Sequence, residues 1–201
     1  HDGDMRVTIR DIQLDWRPAA LLSGRLDVTT LKAHSVEVLS PPSEEPLKLP
    51  QDLRLPLPLS LDKAEIGSLT VFSQAGVTPD FAASRLTARL ESDSRKHRLQ
   101  DLSASLEYGE LSASAQMDGV RPFALQARAD LAGHGSPQER ISINASGELE
   151  NITLKLQGSG AGLSGQGEAL LRPFTPFPLA ALTLSVHGLN PRTFSPDAPQ
   201  A

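Results

Sequence analysis

The residues with the widest chemical range here are five histidines, His1, His34, His97, His134 and His187, and none has a partner at metal-ligand spacing. His134 and Glu139 come nearest to a metal pair. They sit in Gly133-His134-Gly135-Ser136-Pro137-Gln138-Glu139, which has the composition of a turn. Asp2 and Asp4 form an acidic pair at the chain start, where solvated carboxylates are expected rather than a calcium site. The run from Gly158 to Gly167 carries five glycines at alternate or near-alternate positions, which suggests a phosphate cradle. A cradle needs a following helix, often with a Gly-Lys-Ser/Thr step, and neither follows. Glycine alternating along a strand marks bends or close backbone approach instead. Asn144-Ala145-Ser146 fits the glycosylation pattern but falls within a strand pattern, and no Gly-x-Ser-x-Gly elbow presents a serine nucleophile. The absence of cysteine removes thiolate catalysis, disulfides and sulfur-ligated metals. Arg95-Lys96-His97-Arg98 is opposed by Glu91 and Asp93 and reads as a solvated turn rather than a nucleic-acid patch. No catalytic constellation forms, so neither an enzyme nor a cofactor is expected.

The elements that would hold such residues are strands. The chain has 201 residues, 39% of them hydrophobic, with only six Phe, one Trp and one Tyr. Leucine and alanine supply most of the apolar surface, so that surface is thin and aliphatic. The net charge of −5 offers no basic face for nucleic acid. No run approaches the roughly 18 apolar residues of a membrane helix, and no signal peptide opens the chain. The opening His1-Asp2-Gly3-Asp4 reads as that of a piece cut from something longer.

The dominant period is two. Val7 and Ile9 alternate with polar residues, the parity slips by one after Asp11, and Ile12, Leu14 and Trp16 carry it on, which predicts a bulge. Similar runs recur through Leu26–Val28, Val36–Val38, Leu53–Leu61, Leu69–Val71 and on to Leu182–Val186. Together they predict about a dozen strands, joined as antiparallel hairpins with one apolar and one wet face. Arg17-Pro18-Ala19-Ala20-Leu21-Leu22-Ser23-Gly24 predicts a short helix, with proline in its first turn and glycine past its end. Pro56 and Pro58 remove consecutive backbone donors from one side of the Leu53–Leu61 ladder, which predicts an edge or the start of a new stretch of sheet.

The predicted fold is therefore all-β: a long antiparallel curled sheet, taco- or groove-like, with one short helix near the N-terminus. The expected organisation is N-terminal strands with the helix over 1–40, a Pro-rich linker loop over 41–52, repeated hairpins in one elongated sheet over 53–193, and an exit linker over 194–201. A sandwich would need a second layer, and a transmembrane barrel would need aromatic girdles that eight aromatics do not make. The remaining solution curls the sheet around its own apolar face. Candidate lining residues are Val7, Ile9, Leu14, Leu26, Val28, Leu53, Leu55, Leu57, Leu59, Leu61, Leu69, Val71, Leu154 and Leu156. Trp16, Leu21 and Leu22 are the candidate cap at one end of the groove.

The segment from Val7 to Leu26, with its Trp16-Arg17-Pro18 turn and Leu21-Leu22-Ser23-Gly24 helix end, resembles the opening region of the TamB family. These are inner-membrane components of the translocation and assembly module, within the wider AsmA-like group. Pro122-Phe123-Ala124-Leu125 through Ala129, Gly167 through Phe174, Pro178 through Leu184 and Leu189 through Pro196 extend the resemblance over nearly the whole chain. It implies a periplasmic location, a tether to the inner membrane by a helix outside this segment, and an apolar-lined β-groove contacting phospholipid acyl chains. It also implies lipid passage between the two membranes in support of outer-membrane protein assembly and protein secretion. The implied protein partner is an Omp85-type outer-membrane barrel, reached through other parts of the full-length protein. No catalytic or cofactor residue transfers with the resemblance. The alternative expectation is a chaperone-like β scaffold that receives outer-membrane protein strands by edge pairing, without carrying lipid.

Overall fold

The computed structural model describes residues 5–41, 48–74, 77–135, 139–160 and 162–187. It is one 12-stranded sheet, curled but not closed. The strands are β1 (Arg6–Arg10), β2 (Gln13–Trp16), β3 (Leu26–Leu39), β4 (Leu59–Phe72), β5 (Phe81–Ser92) and β6 (Lys96–Leu106). They continue as β7 (Gly109–Asp118), β8 (Ala124–Gly133), β9 (Arg140–Glu148), β10 (Asn151–Gly160), β11 (Leu163–Leu171) and β12 (Leu179–His187). Their order in the sheet follows the chain, except that β1 and β2 both pair with β3 and together form one interrupted edge. The predicted helix is present as a 3-10 helix over Pro18–Ser23, ended by Gly24 in the left-handed region at φ 69°. Arg17 ties its start to β3: the Arg17 N–H donates to the Asp27 carbonyl at 2.8 Å and its guanidinium to the Asp27 carboxylate at 3.1 Å.

Two sequence expectations are corrected. The pairing is antiparallel throughout except between β3 and β4, which run parallel. A parallel pair needs a crossover, so the chain must return from the Leu39 end of β3 to the Leu59 end of β4. The Leu53–Leu61 ladder is not a single strand either: β4 begins at Leu59, and residues 53–58 lie outside any strand. Pro56 and Pro58 cannot donate to a ladder, so pairing starts only after them. Of the two readings of Pro56 and Pro58, the edge does not hold, because β4 is paired on both sides, with β3 and β5, and a strand does start directly after them. Half of the Pro-rich linker, residues 42–47, and the exit linker 194–201 lie outside the described residues, as do Asp2, Asp4 and the stretch Leu189–Pro196.

The curl has a local cause. Asp11 adopts φ 53°, which turns over the side-chain alternation at the point where the sequence parity slips. By the pairing registers Asp11 lies opposite His34, His34 beside Gly67, and Gly67 opposite Arg85, itself at φ 52°. Four neighbouring strands are thus distorted along one line. A second irregularity runs through Thr29 in β3, Asp62–Lys63 in β4 and Asp101 in β6, the last at φ 50°. Because neighbouring strands slip together, apolar residues stay opposite apolar residues while the sheet bends.

The turns at the Ser92 end are held by charge. Arg95 grips Asp118 with two guanidinium nitrogens at 2.8–3.2 Å. That hydrogen bond, with the Val120 N–H donated to the same carboxylate, holds the Asp118 carboxyl down at about 2. Asp52, Glu65, Asp93 and Asp130 are lowered too, each chiefly by hydrogen bonds from a neighbouring basic residue or from backbone N–H groups. A depressed carboxyl contributes stability above its unfolded value, about 3.9 for aspartate, and loses it as pH falls towards the folded value. Thermal unfolding is therefore expected to hold level from neutral pH to about pH 4 and to weaken between about 4 and 2. Asp118→Asn should flatten that acid limb; an unchanged limb in the variant would remove Asp118 from the explanation.

Candidate functional site

No titratable cluster forms a site. Among the described residues no group of three or more His, Asp or Glu could hold a metal ion, and no helix is long and apolar enough to cross a membrane. Gly158 and Gly165 face each other within the β10–β11 hairpin, so the glycine run belongs to sheet rather than to a phosphate loop. In the basic run, Arg95 is paired with Asp118 and Arg98 lies 3.6 Å from Glu91. What remains is the apolar face.

Its geometry follows from the registers. Trp16 of β2 lies opposite Val28, Val28 beside Leu61, Leu61 opposite Leu90, and Leu90 opposite Leu99. The row continues through Ala115, Ala127 and Ala145 to Leu154, then Ala169 and Leu182. Eleven strands each contribute one apolar residue, with no polar interruption. Ten spacings of about 4.8 Å give a row roughly 48 Å long. A parallel row starts at Leu102 and passes through Ala113, Ala129, Ile143 and Leu156 to Gly167 and Leu184.

Among the sequence-predicted lining residues, Val7 and Val71 flank Val38, and Ile9 and Leu69 flank Val36. Leu14 pairs with Leu31, which neighbours Ala64. Leu26 neighbours Leu59, Val28 neighbours Leu61, and Leu154 and Leu156 lie in the two long rows. Each predicted residue that falls in a strand thus stands beside an apolar residue of a neighbouring strand. Leu53, Leu55 and Leu57 are placed differently, in a strap that crosses the ends of the strands. The Leu53 N–H donates to the Gly119 carbonyl at 2.9 Å and the Leu55 N–H to Ser94 at 2.8 Å, while the Leu26 N–H donates to Pro58 at 2.9 Å. His97, opposite Met117, reaches the strap: its Nε2–H donates to the Leu53 carbonyl at 3.0 Å, leaving Nδ1 to accept from the Ser92 hydroxyl at 2.9 Å. Gly119 is required at this crossing, because a Cβ there would stand 2.8 Å from the Arg95 carbonyl and 3.2 Å from the Arg54 nitrogen.

The expected cap is not seen. The 3-10 helix buries none of its residues, and Leu22 is 94% exposed. Six residues in so tight a turn present no apolar stripe wide enough to cover a sheet end.

The layer itself is lightly buried. Apolar residues under a tenth exposed are Val28, Phe123 and five alanines. Exposed apolar residues line the two outer edges, Val7, Ile9, Ile12 and Leu14 on one side and Leu179, Leu182 and Leu184 on the other. On the face of Gln116 and Gln126, opposite by strand alternation, a hollow of about 480 Å³ lies among Arg98, Gln116, Gln126, Arg128 and Asn144, and Leu99, Ala115, Ala127 and Ala145 also contribute to its lining. The sequence pointed to the leucines but missed the alanine floor of Ala115, Ala127 and Ala145. Alanine alternating with serine, arginine or asparagine carries little hydrophobic contrast until register puts the alanines side by side.

No family model, no curated protein and no solved structure matches this chain.

Proposed function

We propose that the sheet is a periplasmic conduit segment of TamB-like type, whose apolar face takes up phospholipid acyl chains on their way between the inner and outer membranes. The observation that carries the reading is the unbroken eleven-strand apolar row, with no second layer over it among the described residues. The row is roughly 48 Å long, and the seven-strand row from Leu102 to Leu184 runs beside it. A continuous apolar stretch of this length marks an interaction surface. A flexible hydrocarbon chain matches a surface that is long, continuous and without fixed polar partners. Each methylene it buries is worth about 0.8 kcal/mol.

The resemblance to the TamB family supplies the rest of the proposal. In it, the segment is tethered to the inner membrane by a helix outside it. An Omp85-type outer-membrane barrel meets other parts of the full-length protein, and the conduit supports outer-membrane protein assembly and secretion. The test is to purify the protein, extract it with organic solvent and identify any lipid by mass spectrometry. Glycerophospholipid at about one molecule or more per chain is expected. Protein that arrives lipid-free and takes up no fluorescent fatty-acyl probe would overturn the reading. Recovery of outer-membrane protein segments in place of lipid would favour the scaffold alternative.

A further inference from the structure

The apolar face has a further row at the Ser92 end of the strands, running from Leu26 and Leu59 through Ser92 and His97 to Met117 and Leu125. His97 and Leu99 are two residues apart with no register shift between them, as are Ser92 and Leu90, so all four side chains share one face. Ser92 and His97 are thus two polar groups in an apolar row, and what they hold is the strap. The Ser92 hydroxyl donates to His97 Nδ1 at 2.9 Å, and His97 Nε2–H donates to the Leu53 carbonyl at 3.0 Å. The strap therefore crosses on the apolar side of the sheet. Leu53 and Leu55 are half-buried in it, while Arg54 between them is exposed and forks onto Asp52.

The strap is lightly tied. The Leu53 and Leu55 N–H groups donate to the turns at Gly119 and Ser94, the Arg54 N–H turns back to Asp52, and Pro56 and Pro58 have no N–H to give. A segment with so few backbone bonds opens before the strands beneath it do. We propose that residues 52–58 are a gate on the acyl path, hinged at Pro58, latched by His97 and lifted by the hydrocarbon chain that takes its place. Seated, Leu53 and Leu55 occupy apolar area at the end of the face; lifted, they return that area to the face. An acyl chain offsets the lost strap contacts because it offers the same aliphatic surface with no backbone amide to satisfy. The gate rests on the conduit reading and adds an access step to it.

Amide hydrogen exchange on the whole chain tests it. In lipid-free protein the Leu53 and Leu55 amides are expected to exchange at least about tenfold faster than that of Ala127, in the middle of the sheet. Palmitate should speed them further, because it holds the strap off its seat. His97→Leu, which cannot bond the Leu53 carbonyl, should raise exchange at Leu53 and Leu55 by up to about tenfold, the worth of one hydrogen bond, and should hasten uptake of a fluorescent acyl probe. His97→Gln keeps an N–H for that carbonyl and should restore both rates. Strap amides as slow as that of Ala127, palmitate that binds and protects Leu53 and Leu55, or a His97→Leu protein that takes up probe no faster than wild type would each overturn the gate. Palmitate that binds neither wild type nor His97→Leu overturns the conduit reading itself, and the gate falls with it.

Discussion

Phe123→Ala is expected to cost about 3–5 kcal/mol, the largest stability loss of any single truncation among the described residues. Phe123 is 0% exposed and is the one large side chain fully buried among the described residues. The rest of the buried layer is mostly alanine, whose truncation to glycine removes little. Phe123 sits at φ 58° between β7 and β8, with its N–H donated to the Val120 carbonyl at 2.8 Å and its carbonyl accepting from Leu149 at 3.2 Å. The same connection includes Gly119, whose carbonyl receives the strap at Leu53. Losing the ring should therefore loosen the strap as well as the hairpin. With domain stability typically about 5–15 kcal/mol, such a loss takes about a fifth of the total or more. Urea denaturation measures it, and Phe123→Leu, which keeps most of the volume, should cost under about 1.5 kcal/mol. A near-neutral Phe123→Ala would show that the β7–β8 connection is held by its backbone bonds alone.

The contrast between Phe123 and the leucine ladder shows where sequence reading succeeds. Alternation is a local property, so the strands, their apolar sides and the parity slip at Asp11 were all legible. So was the Pro18–Ser23 turn, because proline and glycine punctuate it from both ends. Partnership is not local. That β3 and β4 run parallel depends on the path of the intervening chain, and no periodicity encodes it. Leu53–Leu61 read as one ladder because leucines at alternate positions look alike in a strand and in a strap; Pro56 and Pro58 decided between them by withholding donors from the sheet. The line through Asp11, His34, Gly67 and Arg85 was invisible for the same reason, since those four residues share no motif and meet only through register. The candidate site fared likewise. Leu154 and Leu156 could be named from sequence, whereas the alanines between Leu99 and Leu154 gained meaning only when lined up across three strands.

Those alanines give the sharpest test of the proposed acyl-binding face. Ala127 stands at the middle of the long row, between Ala115 and Ala145. Ala127→Trp would raise an indole where the floor is lowest. In a close-packed interior this overpacking costs about 1–3 kcal/mol. On an open face the ring has room, and the melting temperature should fall by only a few degrees, about 2–4 °C per kcal/mol at this size. Acyl-probe binding should nevertheless be lost, because the ring occupies the path that the hydrocarbon needs. Ala127→Asp should act the same way through chemistry rather than volume: a hydrated carboxylate in the row forces an acyl chain either to detour or to strip water from a charge, which costs several kcal/mol. The control is the neighbouring residue. Gln126 faces the opposite side, where its side chain bonds Gln116 at 2.8 Å, so Gln126→Trp should leave acyl binding intact. Should the pattern invert, with both Ala127 variants still binding and Gln126→Trp defective, the cargo surface is the polar hollow around Arg98, Gln116, Arg128 and Asn144. The apolar rows would then be the structural side of the sheet, and a hydrocarbon ligand would be the wrong chemistry for it.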